Sequence, residues 1–119
     1  MNKLTIIGNL TRDPEMRITQ SGKSVCTFTV AVNKRNGDAE FFRVTAWEER
    51  GKVCEKYLSK GKKVCVVGPV GVSTYQANDG STKASLEVTA DDVEFLRSRT
   101  EGNGYEQVNV DELPFEVMR

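Results

Sequence analysis

Residues 24–34 alternate strongly with a period of two, and Asn36-Gly37-Asp38 separates them from a further strand-like stretch over residues 40–47. A period of two sends successive side chains to opposite faces, which suits a strand and conflicts with a helix. In residues 24–34, Cys26, Phe28, Val30 and Val32 fall on one side, and Thr27, Thr29, Ala31 and Asn33 on the other. Asn-Gly is a strong local signal for a tight hairpin turn, because both residues tolerate positive φ. Residues 24–34 and 40–47 are therefore expected to pair as an antiparallel hairpin with one apolar face.

The same reading extends along the chain. Leu4, Ile6, Gly8 and Leu10 share one face of a first strand, which Thr11-Arg12-Asp13-Pro14 breaks, and Thr19-Gln20-Ser21-Gly22 reads as a turn. Residues 48–59 read as a short helix with Val53, Tyr57 and Leu58 on one face and Gly61 as its C-terminal cap. Residues 62–75 form a long valine-rich strand interrupted at Gly68-Pro69, Asn78-Asp79-Gly80-Ser81 is a hairpin tip, and residues 82–96 return as the last strand. Three strands, a helix and a two-stranded hairpin follow the order of an OB-fold. The expected fold is therefore all-β with one short helix, a five-stranded Greek-key barrel. After Leu96 the chain turns polar and contains Gly102-Asn103-Gly104. Such a segment buries too little apolar surface to order itself. The expected organisation is a barrel domain over residues 1–96 and a short flexible acidic tail over 97–119.

Composition removes several classes of function. The chain has no histidine, the commonest general base and metal ligand. Its cysteines, Cys26, Cys54 and Cys65, are odd in number, form no CxxC and sit among apolar neighbours. They read as buried free thiols of a reducing cytosol. Gly8, Gly22, Gly61 and Gly80 fall at turns or strand bends, not in a phosphate loop, and the adjacent acids Glu48-Glu49 and Asp91-Asp92 point apart if extended. No enzyme, metal or cofactor is expected. No apolar run is long enough for a bilayer, and Met1-Asn2-Lys3-Leu4-Thr5 runs straight into a strand, unlike a signal peptide. The expected location is cytoplasmic, without membrane association.

The formal charge is zero, but residues 1–99 carry +4 and residues 100–119 carry −4. A mildly basic body with an acidic end leaves room for a polyanionic partner. In the third strand, Phe42, Val44 and Ala46 form one set, and Phe41, Arg43, Thr45 and Trp47 the other. Alternation alone leaves both orientations open. If the second set faces solvent, its rings can stack on bases and Arg43 can meet a phosphate or a base. If it faces inward, Phe41 and Trp47 belong to the core. Tyr75, close to a hairpin tip, suits another stacking platform or a strand tyrosine packing on its neighbour, and read by itself the second is favoured. Lys34 and Arg35 beside the Asn36-Gly37 turn, and Lys60, Lys62 and Lys63 at the helix end, each suit a phosphate track or a solvated face, and the helix end favours the solvated face for the second cluster.

Five stretches carry a resemblance: Gly8-Asn9-Leu10-Thr11-Arg12-Asp13-Pro14-Glu15-Met16-Arg17, Phe28-Thr29-Val30-Ala31-Val32-Asn33, Phe42-Arg43-Val44 ahead of Trp47, Tyr57-Leu58-Ser59-Lys60-Gly61, and Val66-Val67-Gly68. Together they resemble the bacterial single-stranded DNA-binding protein family from about Asn2 to Leu96. The resemblance implies an OB-fold that assembles as a homotetramer and wraps single-stranded DNA without catalysis, in association with the nucleoid. It places Phe41, Trp47 and Tyr75 at stacking positions and Arg43 between two of them. It matches Asp111-Glu112-Leu113-Pro114-Phe115 to an acidic tip that recruits replication, recombination and repair proteins.

The sequence also departs from the family. Asn36 stands where relatives often carry an aromatic residue, and Gly71 and Ser73 stand where many carry arginine. Both changes imply weaker or shorter engagement of DNA. Glu116-Val117-Met118-Arg119 follow Phe115, where the family ends on a carboxylate. With the short linker, these departures suit a member carried by a phage or mobile element. Two other readings fit the same residues: an OB-fold module that prefers RNA or assists a primosome, and an adapter that holds protein partners and binds little nucleic acid.

Overall fold

The computed structural model describes residues 1–97. The tail residues singled out above, Asp111 to Phe115, lie outside the described residues. The element order is β1 (Leu4–Leu10), β2 (Glu15–Ile18), β3 (Ser24–Asn33), β4 (Ala39–Trp47), α1 (Glu48–Tyr57), β5 (Lys63–Gly68), β6 (Val70–Gln76), β7 (Thr82–Thr89) and β8 (Asp92–Leu96).

The pairings close a ring. Antiparallel β3 joins both β1 and β4, and β4 joins β7 in parallel. On the other side β1 pairs with β5, and β5 with β8. Because β7 and β8 are two halves of one returning strand, the circuit β1–β3–β4–β7/β8–β5 is a five-stranded OB barrel. The crossing is made by three successive amides. Thr89 N–H donates to Pro69 O at 3.1 Å, Ala90 N–H to Thr45 O at 2.9 Å, and Asp91 N–H to Val67 O at 2.8 Å. The last strand thus changes neighbours within three residues, which splits the expected single strand 82–96 in two. The long strand 62–75 divides at Pro69 for a related reason, since a proline has no N–H for a ladder. Its second half leaves the barrel and pairs only with β7, forming an arm that ends in the Ala77–Ser81 turn.

The core is filled mainly by branched side chains. Val30, Val44, Val64, Val66, Val88 and Val93 are almost wholly buried, with Ile6, Leu10, Phe28 and Phe42 around them. Burying each contributes about 1.5–3 kcal/mol. Leu4, Ile6, Gly8 and Leu10 do share the inward face, but Gly8 is inside β1 rather than at a bend. A Cβ there would collide with the Ala31 carbonyl oxygen, so the residue permits close strand packing. The short strand β2 was not anticipated; it pairs with β3 from Glu15↔Thr27 to Ile18↔Ser24.

The helix ends earlier than expected and buries a different face. It spans Glu48–Tyr57, and its buried positions are Gly51 and Cys54, followed by Leu58 at the C-cap. Tyr57 is exposed and Val53 only half-buried. Gly51 sets this orientation: a Cβ there would lie 3.2 Å from Cys26 Cβ and 2.5 Å from Ala46 O, so only glycine lets α1 approach β3 and β4 so closely. Gly61 is not the helix cap, because Leu58 N–H already closes the helix on Cys54 O at 2.9 Å. Gly61 instead takes a positive φ of 88° in the following turn, where its N–H donates to Leu10 O at 2.9 Å. Asn9 Nδ2 donates to Gly61 O at 3.0 Å, and Lys60 N–H donates to Asp13 Oδ1 at 2.8 Å. Two of the stretches that carry the resemblance, Gly8–Arg17 and Tyr57–Gly61, are therefore bonded to each other.

Cys26 and Cys54 are buried, whereas Cys65 is half-buried on the outer side of β5 rather than in the core. Desolvation pushes the Cys26 thiol up to about 11, with help from Glu55. Desolvation, then the neighbouring Cys26, pushes Cys54 up to about 12. Thiolate is therefore scarce at both positions, and the pair is suited to packing rather than nucleophilic chemistry.

Candidate nucleic-acid interface

Burial resolves the two orientations left open for β4. Phe42 is 7% exposed and Val44 and Ala46 are 0%, whereas Phe41 is 57% and Trp47 41% exposed. Phe41, Arg43 and Trp47 therefore face outward. Their register neighbours on β3 are Ala31, Thr29 and Val25. Small side chains at Ala31 and Thr29 leave the outer surface low around Phe41 and Arg43, so the ring and the guanidinium stand proud of the sheet.

Register also places Tyr75 relative to this set. Arg43 pairs with Glu87 on β7, and Lys83, two pleats away, pairs with Tyr75 on β6. Residues 83, 85 and 87 share one face of a strand. Tyr75, which is 52% exposed, thus stands on the same face as Arg43. Four residues of strand separate the two levels, about 13 Å at 3.3 Å per residue. The structure gathers Phe41, Arg43, Trp47 and Tyr75 on one continuous surface running from the barrel wall up the arm.

Charges on this surface are mixed. Arg43 lines a polar groove of about 140 Å³ with Arg12, Asp13, Glu15, Thr27, Phe28 and Thr29. Glu87 lies opposite Arg43 across the β4–β7 pair, and Lys83 opposite Tyr75. Arg12 and Lys83 are site cations that sequence reasoning missed. Arg12 lay inside a matched stretch without a role, and nothing local marked Lys83, whose place depends on the arm register. Lys34 and Arg35 sit at the exposed β3–β4 tip, away from the centre of the surface. Lys34 Nζ lies 3.8 Å from Glu40 Oε2, an exposed pair that holds the lysine loosely.

Trp47 has a second environment. It is the residue before α1, and with Val53, Cys54, Val93 and Phe95 it lines a largely apolar groove of about 450 Å³ whose rim is Glu48, Glu49 and Arg50. The strand-to-helix corner is sharp: Glu48 takes a φ of 54°, unusual for a residue with a side chain. At the arm tip, hydrogen bonds from Ser81 hold the Asp79 carboxyl below the usual range. Among the described residues no cluster of three or more His, Cys, Asp or Glu is placed to hold a metal. No helix among them is long and apolar enough to cross a membrane.

A small OB barrel with exposed rings and a guanidinium across one sheet face defines a class: barrels whose outer wall offers stacking platforms to unpaired bases. Residues 1–96 match the model of the single-strand binding protein family. The chain is 37% identical over 110 residues to single-stranded DNA-binding protein 3 of Listeria innocua, covering 87% of this chain and 69% of that protein. It is 39% identical over 108 residues to single-stranded DNA-binding protein 1 of Clostridium acetobutylicum, covering 85% and 98%. The single-stranded DNA-binding protein of Clostridium tetani is 37% identical over 102 residues, 81% of this chain and 70% of the relative. The chain belongs to the single-strand binding protein family.

Proposed function

We propose that this protein binds and protects single-stranded DNA, largely independently of sequence, by stacking bases on Phe41, Trp47 and Tyr75 and meeting phosphates with Arg43, Lys34 and Arg35. The observation that carries the reading is the alignment of the three exposed rings and Arg43 on one sheet face. Every base has a π-face, so stacking tolerates sequence, and a duplex hides those faces. Arg12 and Lys83 extend the cationic path. The protein acts without catalysis or cofactor, in the cytoplasm at the nucleoid. Residues 1–96 form the binding domain, and Asp111-Glu112-Leu113-Pro114-Phe115 in the 97–119 tail recruit replication, recombination and repair proteins.

Anisotropy with labelled oligo-dT and a duplex of equal length tests the reading. Oligo-dT binds much more tightly, quenches Trp47 emission and loses affinity with salt as counterions are released. Equal affinity for both forms would refute it.

The same reading includes assembly into a homotetramer. On the outer wall Ile7 is 50% exposed and pairs with half-buried Cys65, next to the Thr5↔Val67 pair. Only Asn9 and Leu10 of β1 pair with β3, and Gly8 abuts it, so Leu4–Ile7 present an open strand edge beside this apolar strip. An open edge with an apolar flank favours pairing with another copy. Light scattering at micromolar concentration is expected to give a mass well above the 13.2 kDa chain, and Ile7→Lys to lower it. A monomer throughout that range contradicts the assembly.

A further inference from the structure

We propose that Asn36 is a site of spontaneous deamidation assisted by the β3–β4 turn, and that the charge it acquires weakens the DNA-binding surface. The second half rests on the single-strand-binding reading above.

Among the described residues Asn36 is the one asparagine followed by glycine. Both residues are exposed. Gly37 has a φ of 92°, and apart from its two chain neighbours no heavy atom lies within 4 Å of where its Cβ would be. Asp38 N–H donates to Asn36 Oδ1 at 3.0 Å. That bond closes a small ring that spans the Gly37 peptide and fixes the Asn36 side chain over the turn. It also places a backbone donor on the oxygen that becomes negative when the nitrogen adds to Cγ. One contact opposes reaction: Gly37 N–H donates to Lys34 O at 3.1 Å. This bond lies at an exposed hairpin tip, where local opening is easy.

The chemistry needs only water. The Gly37 nitrogen gives its proton to solvent base and bonds to Asn36 Cγ. The Cγ–Nδ2 bond breaks, and ammonia leaves with a proton taken from solvent. Water then opens the five-membered imide at either carbonyl, leaving aspartate or isoaspartate at position 36. No electron transfer is involved.

The charge consequence is local. Residues 34–40 hold two cations, Lys34 and Arg35, and two carboxylates, Asp38 and Glu40. The tip is neutral overall with Asn36 intact, and carries one net negative charge after reaction. Lys34 already has a carboxylate 3.8 Å away, and the product adds another one residue beyond Arg35. The other described asparagines lack this arrangement. Asn2 is held through both side-chain atoms to Val70, Asn9 donates to Gly61 O, and Asn33 and Asn78 precede lysine and aspartate.

The test ages the full chain in mildly alkaline buffer at physiological temperature and follows each asparagine by peptide mass mapping. Asn36 is expected to gain about one dalton well ahead of Asn2, Asn9, Asn33 and Asn78, and Asn36→Gln to suppress the change. Asn103-Gly104, outside the described residues, is read as a separate peptide. Aged protein and Asn36→Asp are both expected to bind oligo-dT about two- to fivefold more weakly at low salt, with the difference fading at high salt. Mass gain at Asn36 no faster than at Asn78 overturns the proposal. If aged protein gains the mass but keeps its affinity while Phe41→Ala still weakens binding, the DNA consequence is overturned and the binding reading stands. If neither change affects binding, the binding reading itself has failed.

Discussion

Replacing Phe41 and Trp47 together by alanine is expected to weaken oligo-dT binding by about 2–6 kcal/mol, since each stacked base is worth about 1–3 kcal/mol. Stability is expected to change little, because both rings already face solvent and their removal opens no core cavity. Trp47 also covers part of the groove beside Val53, Val93 and Phe95, so the larger share of any loss falls on that residue. Phe42 supplies the contrast. It is adjacent to Phe41 in sequence but 7% exposed and packed in the core, so Phe42→Ala is expected to cost about 3–5 kcal/mol of folding stability. Titration of the folded fraction, with thermal melts alongside, separates the two effects. A Phe41/Trp47 double variant that melts like Phe42→Ala and retains full intrinsic affinity would assign the outer rings to structure alone.

Gly68→Ala is expected to destabilise the fold by about 3 kcal/mol or more, at or beyond the upper end of ordinary overpacking. Gly68 is where the returning strand crosses β5. Its added Cβ would land on the Thr89 carbonyl oxygen and within 3.1 Å of Asp91 N. These are backbone atoms, so no rotamer change relieves the clash. They also flank the amides of Thr89 and Asp91, whose bonds to Pro69 O and Val67 O close the barrel. Gly71→Ala is the control, because nothing lies within 4 Å of its Cβ position and its φ is not in the left-handed region. Urea denaturation is expected to show Gly71→Ala close to the parent and Gly68→Ala far below it. Equal midpoints would mean that the crossing has room for a methyl group.

Much of the barrel was legible because its strands are half-buried. Where one face meets a core and the other meets water, alternation writes the orientation of every side chain into the sequence, as it does for Ile6, Gly8 and Leu10 in β1, whereas β3 is buried on both faces from Ser24 to Phe28. The turns were legible for a local reason too: Asn36-Gly37 and Asp79-Gly80 supply the positive φ that tight hairpins require, at Gly37 and Gly80. Helix α1 was harder to read. Its weakly apolar sequence offers Val53, Tyr57 and Leu58 as a face, yet of these only Leu58, at the C-cap, is buried, beside Gly51 and Cys54. Close approach of a helix to a sheet selects for small residues, and a pattern of large apolar residues does not register that requirement.

For the candidate site, sequence alone determined the membership of two sets on β4, Phe41-Arg43-Thr45-Trp47 and Phe42-Val44-Ala46, because pleating is a property of the strand itself. It did not determine which set faced solvent, since each contains a large aromatic ring and alternation reads the same for either orientation. The tertiary structure decided that by closing the barrel on the side of Phe42. It also decided that Tyr75 and Lys83 share the surface of Arg43, although 32 positions separate Arg43 from Tyr75 in the chain. That juxtaposition comes from the parallel β4–β7 pairing and the β6–β7 register. The Ala77–Ser81 turn sets the β6–β7 register locally, but the β4–β7 pairing joins residues more than 40 positions apart, and no local periodicity encodes it.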